Sequence, residues 1–184
     1  REKQAIIAWQ TCMMRLADLE GHRAVLTGTS GGIGLAVAVA LIEQGCNVYG
    51  FDIGTPPTGL GERYTHIPCD LTQNAAIRAA VAVVAKGGAI DHVVNIAGIA
   101  PLISLEAGGE REWDRVVDLD LKAYYLVIHH CLAALRAGRG RSIVNVSSIN
   151  YRLGVPKRSI YAASKAGILG LTRGLARELG AEGI

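Results

Sequence analysis

Thr27-Gly28-Thr29-Ser30-Gly31-Gly32-Ile33-Gly34 is the stretch that decides the fold. It follows a short apolar run at 23–27 and opens a helical pattern at 33–44. Glycine supplies the tight turn and the missing side chain, so the backbone can close on an anion at a positive helix terminus. A dinucleotide diphosphate binds where a strand, such a loop and a helix follow in this order. Glycine also serves ordinary turns, and the strand-to-helix setting is what favours the phosphate reading.

Outward from this loop, short β-branched runs alternate with longer helical patterns. Strands are expected at 23–27, 47–51, 64–68, 92–96 and 142–147, and helices at 33–44, 73–85, 110–136 and 159–179. Gly45, Gly87 and Gly138 are placed as helix C-caps and Thr72 as an N-cap. Residues 53–63, rich in Gly and Pro, are expected to be a loop. The alternation predicts an α/β chain, a Rossmann-type doubly wound parallel sheet covered on both faces.

A chain of 184 residues, half of them apolar, buries one substantial core, and we read 19–184 as one domain behind an N-terminal extension, 1–18. Within that extension, 1–14 is either an extra helix or an upstream segment. The formal charge of +3 is spread among interspersed Lys and Arg, which gives nucleic-acid binding little support. Cys12, Cys46, Cys69 and Cys131 are far apart, and the five His residues form no ligand spacing, so no metal site is expected. No run approaches the ~18 apolar residues of a membrane span, and no cleavage pattern follows 5–9. A cytoplasmic protein with reduced thiols and no membrane partner is expected.

Asp52 lies about 20 residues beyond the glycines, at the end of the second expected strand, where a carboxylate accepts hydrogen bonds from ribose hydroxyls. It favours NAD over NADP, because a 2′-phosphate would meet a like charge and Gly31 and Gly32 offer no compensating base. Tyr161 and Lys165 stand four apart in a helical pattern and share one face. A phenol with a pKa near ~10 is a poor base at neutral pH, and a neighbouring ammonium favours its phenolate. Ser148 follows the last expected strand, at the carboxyl edge where open α/β sheets bind ligands. Capping a loop is its alternative role.

Together these residues resemble the short-chain dehydrogenase/reductase family, from about Leu19 to the last residue. Gly28, Thr29, Ser30, Gly32, Ile33 and Gly34 lie in a match to its T-G-x-x-x-G-x-G loop. Cys69-Asp70-Leu71 is similar to the stretch whose Asp contacts the adenine ring. Asn95-Ile96-Ala97-Gly98 resembles the N-N-A-G segment with Ile at its second position, and Tyr161-Ala162-Ala163-Ser164-Lys165 is similar to the active-site helix. The resemblance implies an NAD cofactor held by these segments together with Asp52, Asp70, Leu71, Asn95, Ala97, Gly98, Tyr161 and Lys165. It further implies Tyr161 as general acid/base, Ser148 orienting the carbonyl oxygen, and Lys165 binding the nicotinamide ribose. The family's relay Asn is replaced by Asp120, which either keeps a slower relay or distorts the helix.

The implied activity is hydride transfer between NAD(H) and a secondary alcohol, a cyclic diol or a ketone such as a 3-oxoacyl thioester. Arg152, Lys157 and Arg158 border the expected substrate pocket, either as surface charge or as anion binders. The alternative is an NAD-binding remnant or regulatory module without turnover. An epimerase of the related extended type has less support, because its glycine spacing differs. Family members continue into two more strands and a mobile segment, so the sheet is expected to lack its last strands, to leave 142–147 as an edge, and to need the missing part for efficient turnover. The apolar positions Trp113, Val116, Val117, Leu121, Tyr124, Val127 and Ile128 exceed what one sheet face covers, and predict a homo-oligomer, dimer or tetramer.

Overall fold

A computed structural model describes residues 19–184. The expectations for 1–18, Cys12 among them, lie outside the described residues. Five parallel strands, β1 (Arg23–Thr27), β2 (Asn47–Asp52), β3 (Tyr64–Pro68), β4 (His92–Asn95) and β5 (Ser142–Asn145), form a sheet in the order β3-β2-β1-β4-β5. The order reverses direction at β1, so a crevice opens between the carboxyl ends of β1 and β4. Helices α1 (Gly32–Glu43), α2 (Asn74–Lys86), α3 (Glu110–Val117), α4 (Ala123–Arg136), α5 (Asn150–Leu153) and α6 (Ser159–Leu179) connect and cover the strands.

Strand periodicity sends alternate side chains of β1 to opposite faces. Val25 joins Phe51, Ile77, Val81, Val93, Val127, Cys131 and Leu135 in the larger core, beneath α2 and α4. Leu26 joins Ala38, Cys46, Val48 and Val94 in the smaller one, beneath α1. Burial on both faces explains why these strands read as continuous apolar runs. At the edge, Val144 of β5 stays half exposed.

Several boundaries differ from expectation for local reasons. Thr72 does not cap α2, whose N-cap is Gln73. The Thr72 hydroxyl instead donates to Asp70 Oδ1 at 2.7 Å, within a turn that also takes its own N–H. β4 stops at Asn95 because the N–H groups of Ile96 and Ala97 donate to Thr27 Oγ1 at 2.9 and 3.1 Å, drawing the chain across β1. The expected helix over 110–136 is broken by a π-turn, Asp118–Lys122, between α3 and α4. An additional short helix, α5, ends on Gly154 in the left-handed conformation.

The apolar stripe expected to face a second subunit is mostly covered within the chain. Val116, Tyr124, Val127 and Ile128 are buried, and Leu121 packs at Gly167 of α6. Trp113 and Tyr125 are the aromatic residues left exposed on α3 and α4.

At the amino end of the sheet, His22 Nδ1 and His92 Nε2 share a hydrogen bond of 2.9 Å, and His92 Nδ1 meets Ser142 Oγ at 2.7 Å. Burial, then the neighbouring His22, hold the His92 pKa low. Beside them, Asp91 accepts N–H bonds from Arg23, Arg139 and Gly140; burial opposes its ionisation, but these bonds prevail and its pKa is lowered. A depressed folded-state pKa stabilises above the unfolded value and loses that contribution as pH falls through the folded one. The melting temperature should therefore start to fall below about pH 6.5, the ordinary His value. Thermal melts across this range should show a shallower early decline for His92→Asn; an identical profile would exclude the His pair as the cause.

Candidate active site

The glycine loop is shaped by two close approaches. Gly28 takes φ 78°, and a Cβ there would lie 2.9 Å from Ala97 Cα. A Cβ on Gly34 would land on the Gly28 carbonyl oxygen, so helix α1 sits against the loop only because that residue is glycine. Helix α1 begins on Gly31 with no side-chain cap and no acid in its first turn. Its first N–H groups thus lack a side-chain partner and present a positive terminus. Ser30 Oγ is also buried without a hydrogen-bond partner.

Beside the loop lies a cleft of about 490 Å³, lined by Gly28, Ile33, Gly34, Asp52, Asp70, Leu71, Ala97 and Gly98 among others. These are eight of the residues the sequence assigned to a cofactor. Asp52 is held in place by two backbone donors, Ser30 N–H to Oδ2 at 2.9 Å and Gly54 N–H to Oδ1 at 2.7 Å. Each carboxylate oxygen keeps further acceptor capacity. Arg63, the basic residue before β3, is taken up by Glu20 at 2.6 Å. Cys69 also lines the cleft, and burial pushes its thiol up to about 11, so it offers negligible thiolate at neutral pH.

Thr29, Ser30, Gly32 and Asn95, also assigned to the cofactor, do not line the cleft. Thr29 is buried, with Oγ1 at 2.8 Å from the Tyr64 hydroxyl. Asn95 is buried and donates through Nδ2 to Asn145 Oδ1 at 3.0 Å, tying β4 to β5. Ser30 contributes its backbone N–H, and Gly32 a positive φ at the helix start. A nicotinamide dinucleotide fits this donor set: open N–H groups for a diphosphate, a fixed carboxylate for a ribose, and an apolar cleft.

Tyr161 and Lys165 stand one turn apart on α6, with Lys165 Nζ 5.8 Å from the Tyr161 ring centroid. Ser147 Oγ donates to the Lys165 carbonyl at 2.7 Å and pins this turn to the end of β5. Ser148 is half-buried just beyond, its Oγ accepting from the Asn150 backbone N–H and Nδ2, both at 3.2 Å. The Arg158 guanidinium lies 5.7 Å from the Tyr161 ring centroid.

Asp120 sits in the π-turn, fully buried. Its Oδ1 accepts the Ile99 N–H at 2.8 Å, and its Oδ2 lies 3.7 Å from Lys165 Nζ. Burial pushes the Asp120 carboxyl up, against the pull of the Ile99 N–H and the Lys165 cation. Ile99 and Leu119 line the cleft, so this polar cluster adjoins it. Sequence reasoning missed Tyr124, which is buried and receives Lys165 Nζ at 3.2 Å while donating to the Val146 carbonyl at 3.3 Å. Burial first, then Asp120 and Tyr161, hold its phenol well above the usual range. Its spacing of four from Asp120 was the available signal.

Among the described residues, no His, Cys, Asp or Glu cluster is placed to hold a metal, and no helix is long and apolar enough to cross a membrane.

Comparison with known proteins agrees with this architecture. Residues 22–184 match the family described as short chain dehydrogenase. A short chain dehydrogenase of Penicillium brasilianum, prhI, is 33% identical over 172 residues, which are 91% of this chain and 67% of that protein. The 2-dehydro-3-deoxy-D-gluconate 5-dehydrogenase of Escherichia coli is 33% identical, over 88% of this chain and 67% of its own. The ligand-free aldohexose dehydrogenase of Thermoplasma acidophilum superposes with a TM-score of 0.81 at 32% identity, over 88% of this chain and 63% of that one. The chain thus spans about two thirds of the length of such relatives. With a family match over nearly all the described residues and a sheet, glycine loop and Tyr-Lys helix to carry it, the chain belongs to the short-chain dehydrogenase/reductase family of NAD(P)-dependent oxidoreductases.

Proposed function

We propose that residues 19–184 form one NAD-binding catalytic domain that moves hydride between NAD(H) and a secondary alcohol, a diol or a ketone. The observation that carries this reading is the buried Lys165 ammonium set beside Tyr161, next to a cleft whose glycine loop leaves its helix N-terminus open. Nicotinamide, when bound, supplies the hydride acceptor or donor. Tyr161 passes the proton to or from the substrate oxygen, and Ser148 orients that oxygen. Lys165 contributes the positive charge that favours a phenolate and binds the nicotinamide ribose. Asp120 belongs to the same group through Lys165.

Gly28, Thr29, Ser30, Gly32, Ile33 and Gly34 form the diphosphate seat, with Asp70 and Leu71 at the adenine and Asn95, Ala97 and Gly98 behind the nicotinamide ribose. NAD is the cofactor in this reading, because Asp52 would oppose a 2′-phosphate. Substitution Asp52→Ala is expected to lower kcat/KM with NAD by roughly tenfold or more, the worth of a charged hydrogen bond, while NADP turnover rises or holds. Steady-state kinetics with both cofactors check this; an equal loss for both would count against it.

The names of related proteins include a sugar-acid dehydrogenase, an aldohexose dehydrogenase and 3-oxoacyl-[acyl-carrier-protein] reductases. A panel of secondary alcohols, cyclic diols, aldoses and 3-hydroxyacyl thioesters, followed by NADH absorbance, therefore tests the activity. NAD-dependent reduction or oxidation of one class supports it. NAD that raises the melting temperature without NADH ever forming would identify a binding module instead. A cytoplasmic homo-oligomer, dimer or tetramer, completes the reading, with Trp113 and Tyr125 as contact candidates, and light scattering reads the mass.

A further inference from the structure

Lys165 is only 3% exposed, so its ammonium has lost most of its water. Burial alone would drive the proton off, because desolvation disfavours the charged form. Three groups replace the water. Lys165 Nζ donates to the Tyr124 hydroxyl at 3.2 Å and to the Val146 carbonyl at 3.4 Å, and the Asp120 carboxylate lies at 3.7 Å. Asp120 and Tyr124 are four residues apart, and the π-turn brings both to the same side of the Asp120–Tyr124 stretch.

Among the described residues, the Asp120 carboxylate has no other cation within ion-pair distance. Its Oδ1 is committed to the Ile99 N–H, and its Oδ2 is buried without a hydrogen bond, turned to Lys165. An amide at this position would offer the same acceptor to Ile99 but no charge. We propose that Asp120 is a buried counter-ion that keeps Lys165 protonated in its dry seat, with Tyr124 and the Val146 carbonyl fixing the ammonium's position. Asp120 is a positioning residue: it acts through Lys165, and the inference rests on the reading of Tyr161 and Lys165 given above.

Among the described residues, the groups facing Lys165 are few. Tyr161 faces it from α6, Tyr124 from α4, Asp120 from the π-turn, and only a carbonyl from the end of β5. Nearby in sequence, Asp118 pairs with Lys122 within the π-turn, and Glu112 pairs with Arg111 and Arg115 on α3. Asp120 Oδ2 lies 3.7 Å from Lys165 Nζ, and Lys165 Nζ lies 5.8 Å from the Tyr161 ring centroid. The Asp120 charge therefore acts on the ammonium at close range.

The test is an NMR titration of the lysine Cε resonances in the unliganded protein, with Lys165 assigned by its loss in Lys165→Arg. Asp120→Asn should lower the pH at which Lys165 deprotonates by more than about one unit. Asp120→Glu should restore part of the shift, and Tyr124→Phe, which removes no charge, should shift it less than Asp120→Asn does. An unchanged Lys165 midpoint in Asp120→Asn overturns the proposal. Should that variant not fold, Lys165→Met reads the pair from the other side: the Asp120 carboxyl resonance should then titrate at higher pH, and an unchanged one is equally fatal.

The kinetic counterpart is a fall in kcat/KM for alcohol oxidation that begins at lower pH in Asp120→Asn than in the wild type. Its absence, when the wild type turns over, also overturns the proposal. If wild type never turns over but the Lys165 midpoint shifts as described, the counter-ion stands and the dehydrogenase reading fails.

Discussion

Replacing Tyr161 by Phe should cost roughly 10²–10⁴ in kcat, the usual contribution of a positioned general acid or base, while leaving NAD affinity close to that of the wild type. In the proposed function the Tyr161 hydroxyl exchanges the proton with the substrate oxygen, and Lys165, one turn on along α6, is buried. Phe keeps the ring against which the Lys165 ammonium and the Arg158 guanidinium lie, at 5.8 and 5.7 Å, so packing is preserved. The loss should appear in kcat and kcat/KM together, because the interaction removed belongs to the transition state. Steady-state kinetics with a competent substrate, and calorimetric titration with NAD, measure the two halves separately. Retained turnover in Tyr161→Phe would move the proton transfer to another group.

The second large effect is expected at Gly34. A methyl group there meets the Gly28 carbonyl oxygen, a backbone atom with no rotamer through which to retreat. Gly34→Ala must therefore push α1 away from the loop, at a cost of about 1–3 kcal/mol for overpacking. For a chain of this size that is a melting temperature lower by roughly 2–12 °C. The same displacement moves the open N–H groups of the α1 terminus, so NAD should no longer raise the melting temperature. For the wild type, a ligand at a hundred times its Kd adds about 2.7 kcal/mol. Paired melts with and without NAD check both effects, and an NAD response surviving in Gly34→Ala would show that the diphosphate seat lies elsewhere.

The parts of the fold legible in the sequence are those with a strong period. Arg23–Thr27 and His92–Asn95 occupy the middle of a sheet buried on both faces, and their apolar runs announced them. The loop at 53–63 between β2 and β3 was legible from its Gly and Pro content. Chain paths set by single side-chain bonds were not. Thr27 Oγ1 ends β4 through two N–H groups some 70 residues away, and no local pattern encodes that contact. A helix distortion at Asp120 was one of two expectations, and the π-turn lies there; its form was not legible, because one extra residue in a turn changes helical periodicity too little to see against the scatter of real sequences.

The site divided in the same way. Gly28, Gly34 and Asp52 were legible because their chemistry is fixed by spacing from a strand, and all three line the cleft. Thr29, of the glycine loop, and Asn95, of the Asn-Ile-Ala-Gly segment, instead turn their side chains to Tyr64 and Asn145. Tyr124 was read as one position in an apolar stripe, and its burial is indeed nearly complete, at 1% exposure. What the stripe concealed is that its hydroxyl ends on Lys165, a contact between helices that only the three-dimensional arrangement supplies.

A crystal structure of the protein with NAD tests the central claim most directly. The account predicts the diphosphate on the backbone N–H groups of Gly31 to Gly34, a ribose on Asp52, and the nicotinamide end beside Tyr161 with Lys165 Nζ at its ribose. A dinucleotide bound away from the glycine loop, or one whose nicotinamide lies out of reach of Tyr161 and Lys165, would contradict it.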